Sequence, residues 1–379
     1  MFYVSKVTPF LFMFALVNLF ISLFLKLTQN FQLFVITLVF GFIGLTLTGA
    51  IYQIVPNSQN RKLSRPKISY LVFALILYAF LKFYFGNYES GAFYLFIAHT
   101  IFLIHMITNL KNTSPITVRF LASSVIYLFL ASLFLFIHFN WQMVPLQLAV
   151  HTLAVGSMLN AIYGVEIAWI PMLIMDTLNI RKAEQLFKAK QITTVAVLLA
   201  FLSMNYKLLA VVLLLEFAVS IYFLYIIYEL FKERGMPSHI PNVVKIFLFA
   251  LPFLPLGLIT GSFSASHPEV LPTALYLHID FMVYGFAAFT IFGGMLHLLP
   301  RIIWNWKASG IKQLEFSISD LADEKSLINF LELSAILYIF YVAVDVLFPP
   351  LHAISTVIYL GILALLIQNL SKAYRYLFR

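Results

Sequence analysis

Apolar stretches long enough to cross a bilayer, about 18 residues or more, follow one another along almost the whole of this chain. Only short polar loops separate them. Their spacing predicts twelve spans, near residues 8–27, 31–55, 68–86, 91–110, 118–138, 146–173, 190–205, 208–231, 243–262, 274–300, 327–348 and 351–371. Of the 379 residues 62% are hydrophobic and only 10% charged, whereas a soluble chain carries about 25% charged residues. The fold class expected is therefore an all-α polytopic membrane protein, with residues 1–379 forming one integral membrane domain. Lys6 is the one basic residue ahead of the first apolar stretch and no small-residue cleavage site follows it, so this stretch reads as a span and not as a signal peptide.

The charges test the count. Basic residues cluster at Arg61/Lys62/Arg65/Lys67, Lys111/Arg119, Arg181/Lys182/Lys188/Lys190, Lys232/Arg234/Lys245, Arg301/Lys307/Lys312 and Lys372/Arg375/Arg379. All fall on one side of the predicted spans. The intervening loops hold almost none, with Lys82 and Lys207 at span ends. The positive-inside rule then places both termini in the cytoplasm, in a cell inner membrane. The net charge of +9 is thus a topology signal, and nucleic acid is not an expected partner; the bilayer is. The absence of cysteine excludes disulfides, thiolate metal sites and iron–sulfur clusters, leaving His, Asp, Glu, Met and Tyr for metal chemistry.

One pattern recurs inside spans 2, 6 and 10: Gly, seven residues, Gly, six residues, Pro. The sets are Gly41/Gly49/Pro56, Gly156/Gly164/Pro171 and Gly285/Gly293/Pro300. Three copies imply three tandem units of four helices, near 1–112, 113–235 and 236–379. Glycines eight residues apart lie a little over two turns from one another, on broadly one face. Small residues there allow close approach of a neighbouring helix or of a flat ligand. The proline falls near the cytoplasmic end, where a missing N–H costs little. In span 6 the segment His151-Thr-Leu-Ala-Val-Gly156 puts an imidazole ahead of the first glycine. Span 10 does the same with His278-Ile-Asp280-Phe-Met-Val-Tyr-Gly285. Ionisable groups at that depth face a bundle interior, a cavity or a cofactor, and His is a common haem ligand.

Twelve spans in three four-helix units, with histidines on the second helix of a unit, resemble subunit I of the haem–copper oxidases. The span-10 segment, running from His278 through Gly285 and Gly293 to Pro300-Arg301, is similar to the His-x-His helix of the C-type oxidases and nitric oxide reductases. By that resemblance His278 takes the place of the high-spin haem ligand and Asp280 that of the low-spin ligand. The departures are definite. Span 2 has no His for a low-spin haem, span 7 has no His for copper, and His151 stands alone on span 6. The resemblance therefore implies a divergent member that does not reduce oxygen and keeps one haem, with His278 and His151 as its ligand candidates. A fainter resemblance, to the twelve-span NnrS family, meets the same missing histidines.

Four carboxylates sit inside spans: Glu166, Glu216, Glu332 and Asp345. With Asp280 they are candidates for proton or cation passage. Glu166, beside Gly164 on a motif helix, is the foremost, while Glu332 near a helix start reads as interfacial. His99 and His105, six residues apart, fall on different faces of one helix and read as packing residues. His297 reads as an interfacial anchor. His138, His267 and His352 stand at outer span ends or in an outer loop, where with His151 and His278 they could line one region suited to a metal; His239 carries no expectation. Asn305 to Ser326 reads as a solvated loop. No phosphate-binding loop, nucleophile elbow or His-Glu-x-x-His motif occurs, so an enzyme is not the expectation. Two other functions stay open beside the haem protein: a transporter or channel for protons or a small solute, and a non-catalytic accessory subunit of a respiratory complex.

Overall fold

A computed structural model describes residues 3–28, 30–233, 240–267, 271–307, 317–348 and 351–378. Arg234, His239, Lys312, Glu315 and Arg379 lie outside them. The described chain is helical, with no strand, and twelve helices are long and apolar enough to cross a membrane. They are α1 (Thr8–Leu25), α2 (Phe31–Ser58), α3 (Lys67–Tyr84), α4 (Tyr88–Asn109), α5 (Ile116–Trp141), α6 (Leu146–Leu173), α7 (Ile180–Leu202), α8 (Tyr206–Lys232), α9 (Asn242–Ser266), α10 (Ala274–Lys307), α11 (Ile318–Leu347) and α12 (His352–Leu377). The protein is a multi-pass membrane protein.

Local chemistry sets the helix starts. Asn30, Asn87 and Asn179 each accept a backbone N–H of the first turn, and Asp323 does so twice within α11, satisfying donors that hydrocarbon could not. Pro9 opens α1, and Pro115, Pro145 and Pro241 precede α5, α6 and α9. One expected boundary was wrong by ten residues: helix α7 starts at Ile180, not 190. In α11 a separate turn, Ile318–Leu321, precedes the continuous helix from Glu324, close to the expected 327. Charged first turns mimic loops in the sequence, but long side chains carry their heads to partners at the bundle surface. Lys182, for example, pairs with Glu229 of α8.

Three helices are central. In α2, α6 and α10, 94%, 78% and 94% of the most apolar stretch is buried, against 28% to 56% in the other nine. These are the helices with the Gly–Gly–Pro pattern, and each winds into a π-helical segment around its first glycine: Ile36–Gly44, Thr152–Met158 and Asp280–Ala287. The glycines are contact points between helices. A Cβ on Gly41 would lie 2.3 Å from Asn18 Oδ1, and one on Gly49 3.0 Å from Phe12, both on α1. Gly156 and Gly164 meet Tyr127 and Phe120 of α5 in the same way. Gly285 and Gly293 meet Phe253 and Phe247 of α9, and Tyr338 of α11 also presses on Gly285. Pro56 and Pro171 sit two residues from their helix ends, whereas α10 runs on past Pro300 to Lys307. Outside, Leu, Ile, Val and Phe stay exposed, as hydrocarbon permits.

Candidate functional site

His278 and Asp280, two residues apart at the start of α10, point to different neighbours. His278 Nδ1 lies 2.7 Å from the carbonyl oxygen of Gly257 on α9, and its ring rests where a side chain at Gly261 would be. His151 Nδ1 lies 2.8 Å from the carbonyl of Gln147. A carbonyl only accepts, so Nδ1 carries the proton of each neutral ring and Nε2 keeps its lone pair. The two ring centroids lie 6.3 Å apart with planes within 18° of parallel. Phe201 of α7 stacks on His151 at 4.2 Å.

Asp280 turns instead to α1 and α11. Its Oδ1 accepts from Lys26 Nζ at 3.2 Å and from Tyr341 OH at 2.5 Å. The same ammonium lies 2.9 Å from Asp345 Oδ2 and 2.8 Å from the Tyr341 oxygen, with the rings of Tyr276, Tyr284 and Tyr341 within 5.6 Å. Asp345 is held in turn by Ser355 and by His352, whose Nδ1 is 2.9 Å away. The Lys26, Asp280 and Asp345 side chains are at most 1% exposed, yet Asp280 Oδ2 has no partner among the described residues. The place implied for Asp280, that of a haem ligand, is thus taken by an ion pair.

A second polar cluster lies mid-helix between α6, α7, α8 and α10. Lys190, read in the sequence as part of a cytoplasmic basic cluster, is fully buried and bonds Glu216 Oε1 at 2.6 Å. Thr193 donates to Glu216 Oε2 at 2.5 Å, and Thr194 accepts from Lys190 at 2.8 Å. Gln191 reaches Asn160 of α6. Nearly two turns further along α6, Glu166 Oε1 accepts from Thr290 of α10 at 3.4 Å. Glu166 Oε2 and the Tyr163 hydroxyl, both buried, are without partners among the described residues.

The remaining candidates disperse. His105 bonds the Ser64 carbonyl at 2.6 Å, His99 is buried, and His297 packs on Trp169. His138 lines a cavity of about 890 Å³ with Asn87, Glu89 and Met143, and His267 bonds Ser266. Glu332 is exposed. No three His, Asp or Glu side chains among the described residues gather as a metal site; of the outer histidines, His151 and His278 come together. For the haem implied by the resemblance, the low-spin site does not fit, because Asp280 is committed and α2 has no His. The His278–His151 pair fits by donor type. Carbonyl-anchored Nδ1–H groups are the usual support of such ligands.

No family model matches the sequence. The chain is 63% identical over 379 residues to an uncharacterized protein of Aquifex aeolicus (strain VF5), covering 100% of both. The two belong to one family. The match spans both chains end to end, so all twelve helices and both polar clusters fall within it.

Proposed function

We propose that this chain is an inner-membrane protein on the layout of haem–copper oxidase subunit I, in three tandem four-helix units with both termini cytoplasmic. In this reading it does not reduce oxygen and holds one haem between His278 and His151. The observation that carries the reading is the pair of neighbouring, near-parallel imidazoles on α6 and α10, each anchored through Nδ1 and each with no hydrogen bond at Nε2 among the described residues. A haem there supplies one-electron chemistry. The protein's part is to orient the two rings, with Gly257 and Gln147 fixing the tautomer and Phe201 covering one face of His151. Respiratory-chain subunits are the partners this reading implies. The test is an absorption spectrum of purified protein, oxidised and dithionite-reduced, from cells supplied with haem. A Soret band that is lost in His278→Ala and kept in His138→Ala is the expected result; a colourless wild type ends the reading.

A second reading, proton passage, is favoured by the Glu166 Oε2 and Tyr163 hydroxyl, unpartnered among the described residues, beside the Lys190–Glu216 pair. An intramembrane carboxylate without a full set of partners is poised to exchange a proton. Proteoliposomes with an internal pH dye test it: wild type would acidify under an imposed gradient, and Glu166→Gln would be slower by tenfold or so (about 1.4 kcal/mol). Equal rates for the two, or none above empty liposomes, remove it.

A further inference from the structure

Between α1 and α12 a groove of about 730 Å³ opens on the outside of the bundle. Met13, Val17 and Phe20 line one wall and Ile367 and Phe378 the other, each between 39% and 66% exposed. Its floor is tied by Tyr374, whose hydroxyl donates to the Pro9 carbonyl at 2.9 Å. The lining is almost wholly apolar, with Ser371 its one small polar residue and a single charged one. Arg375, exposed and near the end of α12, borders the groove, and it has no hydrogen bond or ion pair among the described residues.

A groove of this size facing hydrocarbon does not stay empty, because its walls forfeit their dispersion contacts unless a chain fills it. Water is excluded by the apolar lining. The guanidinium adds a constraint: it matches a phosphate bidentately, and a basic residue beside the bilayer surface attracts anionic lipid. One molecule carrying both an acyl chain and a phosphate meets both demands. We propose that this groove is a binding site for one anionic phospholipid, an acyl chain lying along α1 and α12 and the headgroup phosphate on Arg375.

Native mass spectrometry of the full chain, titrated with dioleoylphosphatidylglycerol or dioleoylphosphatidylcholine, tests the proposal. Wild type should bind one phosphatidylglycerol in preference to phosphatidylcholine. Arg375→Gln should lower that preference about fivefold, the factor expected for one basic residue at the surface. Val17→Trp, which fills the groove, should abolish the first binding event for both lipids. Ile339→Trp, on an exposed position of α11, should leave it intact. Undiminished phosphatidylglycerol binding by Val17→Trp, or an unchanged preference in Arg375→Gln, would overturn the site.

Discussion

Lys26 closes α1 at the end of the bundle away from the basic loops, and its ammonium is the only lysine or arginine head in contact with Asp280 and Asp345 among the described residues. Desolvating three charges is expensive, and removing one partner leaves the others uncompensated. Lys26→Met should therefore cost about 3–5 kcal/mol, read as a fall in detergent unfolding midpoint. Adding Asp280→Asn and Asp345→Asn should recover most of it; no recovery would mean that the lysine acts through packing alone. The Lys190–Glu216 pair should behave alike, with Lys190→Met/Glu216→Leu milder than either single change. The carboxylates of these clusters were legible in the sequence, because Glu166, Glu216, Asp280 and Asp345 interrupt apolar runs. Their cations were not. Lys26 sits at a span end, and Lys190 follows Arg181, Lys182 and Lys188, so it reads as loop. The signal was present in Lys26 all the same, a lysine on the side that the charge alternation leaves nearly bare. Its partner Asp280 lies 254 residues away, a distance that no local pattern bridges.

At the scale of the helix, the glycine pattern marked the three central elements, and their burial explains why glycine is required there. Gly293 and Gly294 are adjacent but not equivalent. A Cβ on Gly293 would meet Phe247 at 2.7 Å, while one on Gly294 meets nothing within 4 Å. Gly294→Ala should be neutral or stabilise by up to about 1 kcal/mol, since glycine weakens a helix interior. Gly164→Ala should cost about 1–3 kcal/mol, because overpacking forces backbone shifts. The obstacle is Phe120 Cβ at 2.4 Å, which no rotamer moves. Unfolding midpoints that fail to separate the two would show that the helix contacts are looser than their distances imply. Helix ends were less legible. The start of α7 was missed by ten residues because composition cannot distinguish a charged loop from a charged helix face.

Twelve crossings return a chain to the side on which it began, and the absence of cysteine makes the sidedness simple to measure. Met143→Cys, in the exposed turn between α5 and α6, and Lys62→Cys, in the loop between α2 and α3, should label from opposite sides. A membrane-impermeant maleimide should reach Cys at 143 in intact spheroplasts and Cys at 62 only after permeabilisation. The reverse would invert the orientation, and labelling of both in intact cells would break the span count. The molecule's inner trio also carries a consequence of its π-helical segments. Eight residues of regular α-helix overshoot two full turns by about 80°, which turns the second glycine of each pair partly off the face that the first one presents. A π turn takes more residues to close, so it rotates less per residue and takes back part of that overshoot. The widened turn works as an angular corrector: Gly41 and Gly49 both reach α1, Gly156 and Gly164 both reach α5, and Gly285 and Gly293 both reach α9. Deleting one residue within such a turn would restore an ordinary helix and swing everything beyond it, Glu166 and Thr290 included, toward the wrong neighbours.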